Sequence, residues 1–321
     1  MPQACFTIAR VESSSSNGKN MSQPPDIKIL AVPGWADYEL LDSGDGSKLE
    51  RYGKYTFVRP DHRAVWHPAL PDQTWNQAQA RFHPSTLESG GEWEYRQPVD
   101  PEWIVGYGKL RFLAQATRSR HMGFFPEQAV HWDWITQQAQ KAHRSTGQPI
   151  RVLNLFGYTG LATLAAALGG AHVTHVDAAK RAITTARQNQ ALSGLEDRPV
   201  RWIVDDAFKF VRREVRRGAH YDGLILDPPK FGRGPSGQVW EFFKSLPELL
   251  ADCQKLLSDS PRFVIITAYA VQLSALSIYH ALEPIMRPYN GSLETGELAL
   301  IEKSAGRFLS MALYTRWSAN S

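Results

Sequence analysis

The stretch DPPKFGRGPSG (227–237) follows the apolar run GLIL with an acid and two residues that cannot continue a sheet. Asp227 can accept a hydrogen bond from a reacting group. Pro228 and Pro229 stiffen the turn and remove two backbone donors, which leaves its carbonyls as acceptors for an amine. Phe231 offers a flat ring for stacking, and Lys230 and Arg233 offer positive charge. Taken alone, the three residues DPP read equally well as a strand-ending turn with a satisfied aspartate. Three upstream features shift that balance. NLFGYTG (154–160) holds Gly157 and Gly160, where backbone can approach a ligand closely. Asp177 stands 20 positions beyond Gly157, the place from which an acid reaches a ribose diol. Asp205, Asp206 and Ala207 form a third cluster.

The elements around these residues explain why four such clusters recur. PIRVLNLF, AHVTHVDA, RWIVDDA, YDGLILDPP and RFVIITAY read as five buried strands. Helical patterns separate them: GLATLAAALGG, AKRAITTARQNQALSG, FKFVRREVRRG and EFFKSLPELLADCQKLLSDS. Apolar strands alternating with helices predict an α/β fold, a doubly wound, mostly parallel sheet covered on both faces. ELALIEKSAGRFLSMALYTRWS predicts an antiparallel C-terminal hairpin. Ligands of such sheets sit beyond the carboxyl ends of the strands, where all four clusters fall. Residues 25–118 have another rhythm, with short alternating runs and turn cues at SGDG and YGK. They predict a small β-rich N-terminal domain. The expected division is a flexible tail at 1–24, the β-rich domain at 25–118 and the α/β domain at 119–321. Met21 offers a second start.

Composition narrows the function classes. The chain has 321 residues, 43% of them hydrophobic, which is enough for a core without staples. Two cysteines, Cys5 and Cys253, make no disulfide framework and point to a reducing cytoplasm. No apolar run approaches the roughly 20 residues of a membrane span. The ten histidines lack metal-ligand spacing, so no metal is expected. No G-x-S-x-G elbow marks a serine hydrolase. A net charge of +4 permits nucleic acid without demanding it. RREVRRG (212–218) places Arg212, Arg213, Arg216 and Arg217 on a helix surface that reads as a solvated face or as a phosphate contact.

FGYTG lacks the three glycines of a dinucleotide fold and the room for a pyrophosphate, which disfavours a nicotinamide dehydrogenase. A nucleoside cofactor without pyrophosphate fits better. S-adenosylmethionine would place its ribose at Asp177, its adenine amine at Asp206 beside Ala207, and its amino-acid end along Asn154, Phe156, Gly157, Tyr158, Thr159 and Gly160. The cofactor motifs, together with HMGFFPEQ (121–128), resemble those of class I S-adenosylmethionine-dependent methyltransferases with their Rossmann-like fold. More narrowly they resemble bacterial large-subunit ribosomal RNA methyltransferases of the cytosine-carbon-5 and guanine-N7 groups. The similarity covers residues 120–315 and is weak before them. It implies that Gln128, Asp177 and Asp206 belong to the cofactor site, and that the Asp227 loop faces the methyl group.

The chain departs from that family in two places. Cytosine-carbon-5 methylation needs a thiolate nucleophile, which the resembling enzymes carry after the fifth strand. Here that stretch is ITAYAVQ, with Thr267, Ala268 and Tyr269 and no cysteine. Ala129 also replaces the family arginine after Gln128. The expectation is therefore direct, in-line methyl transfer to a nitrogen of an RNA base, with ribosomal RNA as partner. Asp227, Pro228, Pro229 and Phe231 would do the chemistry, and Lys230, Phe231 and Arg233 would contact substrate. Two alternatives stay open: a methyltransferase for a protein or small molecule, and a non-catalytic RNA-binding module that keeps the cofactor fold.

Overall fold

The computed structural model describes residues 25–32, 34–85, 90–118, 120–234 and 237–320. The tail expected at 1–24, with Cys5, lies outside the described residues, as do Pro235 and Ser236. β1 (Ile27–Ala31) comes first. β2 (Tyr38–Gly44), β3 (Ser47–Tyr52) and β4 (Tyr55–Pro60) are antiparallel neighbours whose turns fall at the SGDG and YGK cues. A short helix α1 (Asp72–Asn76) leads to β5 (Ala80–Pro84) and β6 (Gly91–Tyr95), which complete a five-stranded sheet. β7 (Trp103–Tyr107) and β8 (Leu110–Ala114) pair as a separate hairpin.

A 3₁₀ turn at Pro126–Gln128 runs into α2 (Ala129–Thr146). This helix falls outside the expected helical patterns. Its signal is the burial of Ala129, Trp132, Ile135, Ala139 and Ala142 at three- and four-residue spacing. The α/β alternation follows as β9 (Arg151–Leu155), α3 (Leu161–Leu168), β10 (His172–Asp177), α4 (Lys180–Leu192), β11 (Val200–Val204), α5 (Ala207–Arg216) and β12 (Gly223–Leu226). After a small hairpin, β13 (Phe231–Arg233) and β14 (Val239–Glu241), come α6 (Phe242–Gln254), β15 (Phe263–Ala268) and α7 (Ala275–Met286). β16 (Gly291–Ile301) and β17 (Phe308–Ala319) form the expected antiparallel pair.

The large sheet has the order β1-β16-β17-β15-β12-β9-β10-β11, and β15, β12, β9, β10 and β11 run parallel. Every residue of β12 and β15 is buried, because helices cover both faces. Each buried Leu or Ile there stabilises the fold by roughly 1.5–3 kcal/mol. β11 is the exception to the buried-strand expectation: it lies at the edge and its side chains are partly or fully exposed. β1 belongs to this sheet, pairing parallel with β16 from Ile27↔Thr295 to Ala31↔Ala299. At its far end the β16–β17 turn docks on β2, with Lys303 N donating to Leu40 O at 2.8 Å and Ser304 N to Leu41 O at 3.1 Å. One apolar core runs continuously from Tyr52, Phe57 and Trp103 through Phe112 and Trp132 to Leu164.

Candidate functional site

The strand order reverses between β9 and β12, so their carboxyl ends diverge and open a crevice. The loop after β9 enters that crevice. Phe156 and Tyr158 hold positive φ angles of 58° and 48°, and Gly160 caps α3 at φ 86°. Gly157 N donates to Val176 O at 3.1 Å, which lays the loop against the end of β10. A Cβ on Gly157 would come within 2.3 Å of the His175 ring, so the loop can pass there only as glycine. Asp177 fixes the same loop from β10: its two carboxylate oxygens accept from Tyr158 N and Ala179 N, each at 2.8 Å. Burial raises its carboxyl above the ordinary range, against those two donors.

The cleft is lined by Gln128, Asn154, Phe156, Gly157, Tyr158, Thr159, Gly160 and Asp227, with Phe125, His131 and Thr267 behind them. About 520 Å³ of atom-free space lies within it, counting the part open to solvent. Asp177, Asp206 and Ala207 stand outside this lining. Asp206 caps α5, its Oδ1 accepting from Lys209 N at 3.0 Å, while Oδ2 faces the Gly234 backbone. Asp205 is committed elsewhere, accepting from Arg213 at 2.7 Å.

Asp227 ends β12 partly buried, and Gln128 Nε2 donates to its Oδ2 at 3.3 Å. Burial first, then repulsion from Glu127 and Asp177, push its carboxyl up to about 8. The loop beyond is held by Trp240, whose Nε1 donates to Pro229 O at 2.5 Å and whose ring meets Phe156 at 4.9 Å. Phe242 N takes the Lys230 carbonyl at 3.0 Å. Of the carbonyls expected to stand free, those of Pro229 and Lys230 are thus engaged, because the β13–β14 hairpin folds back on the turn. Pro228 is buried, whereas Lys230, Phe231 and Arg233 are exposed on the hairpin side, away from the cleft lining.

Three groups at the site have no motif in the sequence reading. Glu127 is buried with neither carboxylate oxygen hydrogen-bonded, the Tyr269 hydroxyl is buried without a partner, and so are both ring nitrogens of His131. Glu127 lies next to Gln128 in HMGFFPEQ, and Tyr269 follows β15, the stretch where carbon-5 methylation would require a cysteine. The α5 arginines are mostly committed: Arg212 pairs with Glu248 and Asp252, Arg213 with Asp205, and Arg217 with Glu214. Cys253 sits buried in α6, and burial raises its thiol far above the ordinary range. Among the described residues no cluster of His, Cys, Asp and Glu could hold a metal, and no helix is long and apolar enough to cross a membrane.

The donor set tests the cofactor. The cleft lining contains no lysine or arginine, so a pyrophosphate would find no counter-charge there. A nucleoside cofactor without pyrophosphate needs no such counter-charge, and the Asn154 Oδ1 is a buried acceptor with no partner. The residues therefore fit S-adenosylmethionine. A sheet of this order, with an acid beyond its second strand and an Asp-Pro-Pro turn at the reversal point, defines a class I methyltransferase. A family model described as S-adenosylmethionine-dependent methyltransferase matches residues 58–274, and the chain belongs to that family. A solved S-adenosylmethionine-dependent methyltransferase from Agrobacterium tumefaciens is 42% identical, with a TM-score of 0.86 over 94% of this chain and 98% of that one. A second structure, a methyltransferase complexed with S-adenosylhomocysteine, is 18% identical with a TM-score of 0.66 over 86% of this chain and 73% of that one, and shares the fold. Ribosomal RNA large subunit methyltransferase I of Aeromonas hydrophila is 34% identical over 42% of this chain and 32% of its own length. Its Escherichia coli namesake is 42% identical over 38% of this chain and 29% of its own length. The matched region thus spans about a third of the length of these curated relatives.

Proposed function

We propose that this protein transfers a methyl group from S-adenosylmethionine to a nitrogen of an RNA base, directly and without a covalent enzyme–base intermediate. The observation that carries the reading is Asp227 at the sheet's reversal point, beside the glycine loop, with no thiol near it among the described residues. The position after β15 holds Tyr269, and Cys253 is packed inside α6. When bound, the cofactor supplies an electrophilic methyl group on sulfur. The protein's part is mainly placement: Gln128 orients Asp227, and Asp227 accepts a hydrogen bond from the nucleophile so that its lone pair faces the methyl carbon. Asp177 takes the ribose, and Asp206, through the oxygen its helix leaves free, takes the adenine amine. Lys230, Phe231 and Arg233 are exposed, as groups that meet a flipped-out or single-stranded base and its phosphates must be. The names of the curated relatives support ribosomal RNA as the substrate.

The test is transfer of tritium from labelled S-adenosylmethionine to total RNA of a strain lacking the gene, with the labelled nucleoside identified by mass spectrometry. An N-methylated base in ribosomal RNA is the expected result. 5-Methylcytosine would overturn the direct mechanism. Label in protein or small molecules alone would overturn the substrate.

A further inference from the structure

The two ends of β9 open on opposite chemistry. Its carboxyl end meets the cleft, whose lining has no lysine or arginine. Its amino end meets a second cavity of about 330 Å³, lined by Arg151, His172, Thr174, Val200, Arg201 and Tyr221. The sheet register explains this grouping. Arg151 stands opposite His172, and Thr174 opposite Arg201. His172 and Thr174 are two residues apart on β10, so all four side chains project from one face of the sheet. Both arginines are exposed, yet each is held in place. The Arg151 guanidinium lies over the buried Tyr221 ring at 5.2 Å, and that of Arg201 over Phe210 of α5 at 5.7 Å. The acids that touch this group are already satisfied. Glu214 of α5, 3% exposed, accepts from Arg217 at 2.9 Å and from the Tyr221 hydroxyl at 3.0 Å. Arg201 lies 3.6 Å from it, too far for a direct hydrogen bond. Asp222 accepts from Arg151 N at 2.9 Å and from Ser258 Oγ at 2.8 Å. Three arginines thus face two carboxylates, and the cavity lining itself holds none.

We propose that this groove is a phosphate-binding site that seats the backbone of the RNA whose base enters the cleft. The phosphate chemistry stands on the groove alone; RNA as its source rests on the methyl-transfer reading and deepens it. Guanidinium forks match phosphate oxygens, and the His172 ring adds further hydrogen-bonding capacity beside Arg151. The spacing favours a chain of phosphates over a lone ion. The Cα atoms of Arg151 and Arg201 stand two strands and two residues apart, about 12 Å. Each guanidinium rests on its own ring, so the two meet separate phosphates of one backbone. The cleft is within reach of the same strand, because β9 spans only about 13 Å from Arg151 to Leu155. β11, the exposed edge strand, leads from the groove at Arg201 to the Asp205–Asp206 end of the sheet. A single-stranded RNA of a few nucleotides covers that distance along the edge.

The experiment measures binding of a fluorescently labelled single-stranded RNA to the intact protein across a salt series. With Arg151→Gln and Arg201→Gln combined, the RNA should bind more weakly. The slope of log affinity against log salt should become shallower by about 1.4, about 0.7 for each lost phosphate contact. Arg151→Lys and Arg201→Lys combined keep both charges and should keep the wild-type slope, which damage to packing would not spare. Calorimetric affinity for S-adenosylhomocysteine should be equal in all three proteins, since the groove lies at the other edge of the sheet. An unchanged slope in the glutamine double variant, or an equal loss in the lysine one, would overturn the groove as a backbone site. Saturable binding of inorganic phosphate that the glutamine double variant loses, with an unchanged RNA slope, would assign the groove to a free phosphate and overturn RNA as its source. Tritium transfer to RNA with an unchanged slope would reject the groove and leave the methyl-transfer reading standing. A shallower slope with no labelled RNA would do the reverse.

Discussion

Gly157→Ala should damage cofactor binding through one collision that the structure specifies. The added Cβ would lie 2.3 Å from His175 Cε1 and 2.6 Å from Nδ1. An ordinary carbon contact needs about 3.5 Å or more, so loop or ring must yield by more than 1 Å. The ring is poorly placed to yield. It is fully buried, its Nδ1 is 2.8 Å from Thr163 Oγ1, Thr163 in turn accepts from Asn154 Nδ2 at 2.8 Å, and Trp202 packs on it at 4.7 Å. Burial also holds His175 neutral, its pKa pushed down to about 3, so no charge draws it outward. The glycine loop therefore moves, and with it Tyr158 and the Asp177 anchor. Overpacking of this kind costs about 1–3 kcal/mol. Calorimetric affinity for S-adenosylhomocysteine should fall roughly 10- to 100-fold, about 1.4–2.8 kcal/mol. His175→Ala opens the space, so the double variant should regain about 1–2 kcal/mol over additivity. Wild-type affinity in Gly157→Ala, or strict additivity in the double variant, would refute the collision as the reason for glycine.

Asp177→Ala should weaken S-adenosylhomocysteine binding at least tenfold, because it removes both the proposed ribose acceptor and the clamp on Tyr158 N; calorimetry checks this. Asp227→Asn should keep affinity for S-adenosylhomocysteine and lose turnover by roughly 10²-fold or more in the tritium assay. Cys253→Ser should leave methyl transfer intact while lowering the melting temperature, since it places a hydroxyl among the apolar neighbours of α6. Folded Asp227 keeps its proton up to about 8, against about 4 for a free aspartate. Its contribution to stability is full below about pH 4 and is lost as pH rises through 8. Melting temperature should therefore fall between pH 6 and 9, and less steeply in Asp227→Asn.

The parallel sheet is legible because its strands are buried on both faces and their apolar runs are continuous. The glycine loop and the three strand-end acids are legible because the tips of one sheet share one edge. α2 has a weaker signal: its buried face is largely Ala, Trp and Ile, interrupted by Gln, Lys and His. β1 is harder still, since IKILA finds its partner only 268 positions later. The hairpin that occupies the Pro229 and Lys230 carbonyls depends on Trp240 returning to the turn, a contact that no spacing rule announces. Glu127 lies inside HMGFFPEQ yet carries no motif of its own.

The pairing of β1 with β16 also sets a schedule for synthesis. Ile27 needs Thr295, so 268 further residues must be added before the first strand has a partner. At about 5–20 residues per second, that is a wait of roughly 13 to 54 seconds on the ribosome. During it the first strand offers an open edge with Ile27 and Ile29, which remain 47% and 58% exposed even in the finished fold. The first strand therefore joins the large sheet only after β16 has been made, later than the strands between them.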